Sequence, residues 1–204
     1  MDQNLLKQNT QWQAQASTAS KVIVYISFIL VIPAIWYLIR RNWFLKIQEN
    51  INEVASNIDV QLKKRFDLLN KLVDATKGYM NYEKETLAAI TSLRTQKTQN
   101  NRNMKELAQF QENLTSLNEG INISLERYPD LKANASVIEL QRATSDIEAN
   151  IAAARRFYNA RVVKYNTSLK TFPSNVVATS LSLTSFLYFE VSDSVQRKDV
   201  KINF

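Results

Sequence analysis

The sequence predicts an all-α protein, with one apolar helix near the N-terminus and a series of long amphipathic helices after it. Three observations predict it. Turn residues are very scarce, with 2 Gly and 3 Pro in 204 residues, so most of the chain must run in long elements. An uncharged apolar run occupies residues 22–39. Beyond it, apolar residues recur at steps of three and four, which is the period of a helix face.

The apolar run comes first. In "KVIVYISFILVIPAIWYLIRR" no charge falls between Val22 and Ile39. At about 1.5 Å per residue the run spans roughly 27 Å, close to a bilayer core of about 30 Å. Tyr25, Trp36, Tyr37 and Trp43 suit the two interfaces, and Arg40 and Arg41 close the span. Pro33 is tolerated in a membrane helix. A cleaved signal peptide is the competing reading, but a polar stretch of about 20 residues precedes the run and no small-residue cleavage site follows it. The expectation is a single-pass anchor at 21–41 behind a polar tail at 1–20, held in the lipid bilayer through 22–39. Lys7 and Lys21 precede the span and Arg40, Arg41 and Lys46 follow it, which leans the C-terminal domain towards the cytoplasm.

A first long helix is expected from 42 to 77, with Phe44, Ile47, Ile51, Val54, Ile58, Leu62, Phe66, Leu69, Leu72 and Val73 in one stripe and Gly78 at its end. A second is expected over 81–98, with Leu87, Ile90 and Leu93. After the polar break "TQNNRN" (98–103), a third runs from about 104 to 127 on Leu107, Phe110, Leu114, Leu117, Ile121 and Leu125. "YPDLKAN" (128–134) reads as a turn, because Pro129 biases Tyr128 away from helix. Ser136 and Glu139 have capping-box spacing. The helix they open keeps an alternation of three and four from Val137 through Ile151, Tyr158, Val162 and Tyr165 to Phe172, until Pro173 stops it.

That last helix repeats a pair: Tyr158-Asn159 returns as Tyr165-Asn166. The two tyrosines fall on the apolar seam and the two asparagines on its flank. The expected role is structural, with the rings filling the core and the asparagines bonding to a neighbouring helix to fix register. In "NIDVQLKKRFDLLNKLVD", Asp59 and Lys63, and Asp67 and Lys71, are acid-before-base pairs four apart. Ile58, Leu62 and Phe66 take the seam, so Asp59 and Arg65 lie beside it, within reach of the flank that carries Asn159 and Asn166. The stretch, Gln61 included, reads first as a solvated helix face and second as a docking surface for a partner helix or lipid head groups.

Composition excludes much chemistry. There is no His and no Cys, which removes the usual general base, the thiolate nucleophile and the commonest metal ligands. Glu83 and Glu85 stand two apart, on different faces of a helix. A phosphate loop or a serine elbow needs glycines the chain lacks. No enzymatic activity, metal or cofactor is expected. The net charge of +7 is spread rather than clustered beside stacking aromatics, so a membrane surface is favoured over nucleic acid.

Three blocks carry a resemblance: "SNIDVQLKKRFDLLNKLVDATKGY" (56–79), "ERYPDLKAN" (126–134) and "RRFYNARVVKYNTSLKTFPSN" (155–175). With "YFE" (188–190) and the terminal "VKINF" (200–204), they resemble the LemA family in content and order. The departures are a longer polar N-terminus and a missing Gly in "LTSFLYF". The resemblance implies a membrane-anchored, antiparallel, up-and-down four-helix bundle over 42–173, with an apolar-then-charged tail at 174–204. It implies no established enzymatic function and supplies no catalytic residues. One branch of the family occurs in magnetosome membranes. The matching positions Tyr128, Pro129, Asp130, Phe172 and Pro173 join Asp59, Gln61, Arg65 and the Tyr-Asn pairs as candidate structural or interaction residues. The expected function is a scaffold that organises membrane or recruits a partner, either a second copy or another membrane-associated protein. The alternative is a ligand-sensing bundle that signals through its membrane helix. Helix lengths, at about 1.5 Å per residue, add that four alternating passes return residue 172 near its starting height and place the tail at the membrane-proximal end.

Overall fold

The computed structural model describes residues 16–79, 82, 84–99 and 103–190. Among them every regular element is an α-helix: α1 (Thr18–Thr76), α2 (Lys84–Thr98), α3 (Met104–Glu126), α4 (Pro129–Lys132), α5 (Ala135–Lys170) and α6 (Ser174–Ser180). The sequence reading of Glu83 and of "VKINF" lies outside the described residues. The chain divides between Trp43 and Phe44 into two compact units.

The described part of the first unit is helical from Thr18, with Pro33 inside the helix. Val22, Ile23, Val24, Tyr25, Ile26, Phe28, Ile29, Val31, Ile32, Ile35, Leu38 and Ile39 are exposed, and the helix is long and apolar enough to cross a membrane. Trp36 is exposed, Tyr37 is half-buried, and Arg41 is exposed. The Arg40 guanidinium lies 3.9 Å above the Trp43 ring, where the ring's negative face attracts a cation. The separate helix expected to begin at residue 42 is instead part of α1, whose bounds run through that position.

In the second unit, α1 buries Phe44, Ile47, Ile51, Ile58, Leu62, Phe66, Leu69, Leu72 and Val73, all at steps that keep one stripe facing inward. It ends at Thr76 in a turn over 77–79. In α2, Ile90 and Leu93 are buried, but Leu87 is exposed. In α3, Leu107, Phe110, Leu114, Leu117, Ile121 and Leu125 are buried. α5 buries Val137, Thr144, Ile151, Ala154, Tyr158, Val162, Tyr165 and Asn166.

Helix starts differ from expectation in two places. The Ser136–Glu139 capping box is replaced by Asn134, whose side chain accepts from the Ser136 amide at 2.9 Å. One residue earlier than Ser136, the chain is already helical, so Ser136 cannot cap it. A reciprocal capping box forms instead at α3, where Asn103 accepts from the Glu106 amide (3.0 Å) and Glu106 accepts from the Asn103 amide (2.9 Å). The "YPDLKAN" turn contains one helical turn, α4, with Pro129 as its first residue. Proline is pre-set for that position, which lacks a helical partner for its amide anyway. At the other end, α5 stops at Lys170 and Phe172 is 78% exposed, so it does not continue the seam. After α6 the chain runs without helix over 183–190.

Candidate functional site

Two polar groups occupy the interior of the second unit. The first centres on Arg65, which α1 carries between Leu62 and Phe66 and which is only 3% exposed. Its Nη1 donates to Thr115 Oγ1 at 3.2 Å, and its Nη2 forms an ion pair with the Glu148 carboxylate. Asn118 Nδ2 donates to the same carboxylate at 3.2 Å. One arginine thus ties α1 to α3 and α5. Burial lowers its pKa and the facing Glu148, with Glu119 behind it, opposes that shift. A guanidinium with such partners stays charged. Its Nε has no protein partner, nor has Gln111 Oε1 beside it. Both line a cavity of about 310 Å³ together with Thr115, Asn118, Glu119 and Glu148.

On the same face the expected Asp59–Lys63 pair forms, at 2.8 Å. Asp67 meets Lys97 of α2 at 2.5 Å rather than Lys71. Gln61 Oε1 is buried without a hydrogen-bond partner. Arg65 reaches Glu148 rather than the flank carrying Asn159 and Asn166. Glu148, Thr115 and Asn118 were not singled out in the sequence. An arginine beside a buried stripe demands an acid at the matching height of a facing helix, and Glu148, next to Ile147 and Ile151, was the available signal.

The second group is the Tyr-Asn repeat, and its partner is the C-terminal segment. Asn166 Nδ2 donates to the Phe186 carbonyl (2.9 Å) and its Oδ1 accepts from the Phe186 amide (3.1 Å). Asn159 does the same with Phe189, at 3.1 Å and 2.9 Å. Tyr158 Oη donates to the Leu187 carbonyl at 2.9 Å. The expected bond to a neighbouring helix is therefore replaced by a bond to backbone. A carboxamide offers one donor and one acceptor side by side, the same pair an adjacent strand would present. The spacing also matches. Seven helical residues advance about 10.5 Å, and three extended residues advance about 10 Å. Two asparagines seven apart on a helix can therefore grip residues three apart on an extended segment running the opposite way.

Between these clamps Tyr165 is fully buried. It sits edge-on to Phe44 (ring centroids 5.9 Å apart) and to Phe186 (5.1 Å), and its hydroxyl accepts from Gln48 Nε2 at 3.2 Å. Phe189 is 1% exposed, with Arg155 5.4 Å from its ring. Burial pushes the Tyr158 hydroxyl up to about 12 and raises that of Tyr165, the latter opposed by the Gln48 bond.

The remaining candidates stand apart from both groups. Tyr128 precedes α4 without a side-chain capping bond, Pro129 opens it, and Asp130 is exposed; all three line a surface cleft of about 530 Å³ with Tyr79 and Arg127. Pro173 precedes α6 and, like Phe172, is exposed. Among the described residues no group of three His, Cys, Asp or Glu side chains could hold a metal ion.

A helical domain laced by a buried arginine and a two-asparagine clamp, in a chain that also carries a membrane-length apolar helix, defines a class of helical protein with an apolar N-terminal segment. The LemA family model matches residues 54–204. Protein LemA of Metamycoplasma hominis is 30% identical over 186 residues, covering 90% of this chain and 84% of that protein. The chain belongs to the LemA family.

Proposed function

We propose that this protein is a single-pass membrane protein whose second unit is an antiparallel, up-and-down four-helix bundle of α1, α2, α3 and α5. It acts without catalysis, as a scaffold that organises membrane or recruits a partner. The observation that carries this reading is the membrane-length apolar run of 22–39 in the same chain as a helical unit whose polar interior is used to bind its own elements together. The bundle topology is supported by paired contacts. Moving along α1 from Gln48 to Arg65, the α5 partner falls from Tyr165 to Glu148, as it does between antiparallel helices. The basic residues flanking the run favour a cytoplasmic bundle. The partner is a second copy or another membrane-associated protein.

Alkaline carbonate extraction of cell membranes tests the anchor. The full chain should stay with the membrane and a variant lacking residues 16–41 should be released. Recovery of the full chain in the soluble fraction sinks the reading. Cross-linking in intact cells should capture a protein partner or a second copy. Protease accessibility of the bundle in intact cells fixes its side.

One observation favours a second reading, a ligand-sensing domain: the cavity into which the buried Arg65 turns an unpartnered Nε. A melting scan against metabolite libraries distinguishes the two, because a ligand that binds only the folded state raises its stability.

A further inference from the structure

One stretch of the chain departs from the general spread of its charge. Between Glu148 and Glu190 there is no Asp or Glu, while Arg155, Arg156, Arg161, Lys164 and Lys170 all fall there. Arg155 is half-buried against Phe189. Arg156, Lys164 and Lys170 are exposed. So are four large apolar side chains in the same region: Phe157, Val163, Phe172 and Val176. At 3.6 residues per turn, Arg156, Ala160, Val163, Thr167 and Lys170 form one row, with Phe157 and Lys164 beside it. The row is a helix face that mixes cations with apolar side chains, the composition of a segment that lies at a membrane surface. Neither α6 nor the segment over 183–189 brings an acid to it.

We propose that this face of α5, with Phe172 and Val176 beyond it, is a second membrane contact that docks on anionic lipid head groups. The inference rests on the anchor reading for its source of lipid. Tyr165 packs on Phe44, so the last turn of α5 lies at the end of the unit where the chain continues to the apolar run. Only Arg40, Arg41, Asn42 and Trp43 separate Ile39 from Phe44. An extended chain reaches at most about 3.5 Å per residue, so Phe44 stays within about 20 Å of that run whatever the angle between the units. A bilayer surface is therefore always within reach of this end. A two-fold contact of the face with itself would set cations against cations, which disfavours a second copy as its occupant.

The chain has no cysteine, so Thr167→Cys provides a single thiol on the exposed row. The full chain carrying an environment-sensitive fluorophore there is reconstituted into vesicles of phosphatidylcholine alone or mixed with phosphatidylglycerol. A blue shift is expected only with phosphatidylglycerol, and added salt should reverse it. Combining Arg156→Gln, Lys164→Gln and Lys170→Gln should weaken the docked state by roughly a hundred-fold, about five-fold per cation, with helix content unchanged by circular dichroism. No lipid-dependent shift, or a shift that survives the three substitutions, overturns the proposal. A photo-cross-linking residue at position 167 in native membranes should label lipid; capture of an acidic protein or of a second copy in its place also overturns it. Flotation with neutral vesicles reads the anchor alone. A chain that fails to float sinks the anchor reading, while the phosphatidylglycerol-dependent shift still decides the docking face.

Discussion

The Arg65 layer and the Asn159–Asn166 clamp solve the same problem with opposite chemistry. Each ties elements together through buried polar side chains. Arg65 recognises side chains, Thr115 and Glu148, on two other helices. The asparagines recognise only backbone, the amides and carbonyls of Phe186 and Phe189. The first depends on which residues its partners are. The second depends on where the tail lies, and the identity of the gripped residue matters only through its packing. The difference follows from element length. α3 has 23 residues and α5 has 36, and towards Phe44 and Tyr165 the segment of 183–190 supplies the cover for α5.

The largest loss is expected from the tail's own contribution to the core. Phe189 is buried at 1% exposure, so Phe189→Ala should cost about 3–5 kcal/mol by the usual cost of a buried ring. Exposed Leu187→Ala, two residues away, should stay within about 0.5 kcal/mol. Denaturant titration of both variants checks this, and equal small effects would mean that the tail is not part of the core.

The charged layer comes next. Glu148→Ala removes the acid facing a buried guanidinium, which costs about 3 kcal/mol where both partners are dry. The Glu148 side chain is 40% exposed, so water shields part of the loss and about 2 kcal/mol is expected. Arg65→Met with Glu148→Leu should recover most of it, because a pair of apolar side chains leaves no stranded charge. A double variant as unstable as Glu148→Ala would show that the layer is held by the Thr115 and Asn118 bonds instead.

Asn166→Leu strands a backbone amide and a carbonyl at once. The loss should be about 2 kcal/mol, two bonds of about 1 kcal/mol each. It should also raise hydrogen exchange at the Phe186 amide specifically, with the Arg65 layer unaffected. Exchange rising equally across α3 would break the contrast between the two regions.

How far these features could be read from sequence follows the same division. The α1 and α3 stripes were legible because each residue's fate depends on helix period alone. Tyr158 and Tyr165 were placed on the seam by that same period. The asparagines' partner was not legible, because a carboxamide bonds equally well to a helix side chain or to a strand backbone, and "LTSFLYF" has no period that announces an extended path. Ser136 was chosen as a cap on spacing, although Asn134 two residues earlier is as good a cap. Pro129 was read only as a breaker, when the first turn of a helix accepts it. Phe172 kept the heptad spacing, but α5 had already ended at Lys170, two residues short of it. Arg65's partner was missed because its one signal, an acid beside Ile147 and Ile151, lies 83 residues away, where no local spacing pairs the two.

The smallest effect is the most diagnostic, because it separates the two regions by pH. Tyr158 Oη donates to the Leu187 carbonyl, and its phenolate would have no hydrogen to give. Burial pushes the folded-state pKa up from 10.0 to about 12. The fold therefore favours the neutral phenol, and this contribution is fully present below the unfolded value near 10. It falls away as pH rises through about 12, since the unfolded chain ionises first and gains stability over that window. At neutral pH, Tyr158→Phe should lose about 1 kcal/mol, the worth of one bond. Above pH 10 the gap between the two proteins should narrow, because phenylalanine has no proton to lose. Glu148→Ala leaves Tyr158 and its bond to the Leu187 carbonyl in place, so this variant and its parent should lose the tyrosine's contribution in parallel. Denaturant titrations of the three proteins across the alkaline range measure this. A gap between Tyr158→Phe and its parent that stays constant with pH would mean that the hydroxyl is hydrated, and that the tail is held by the asparagines alone.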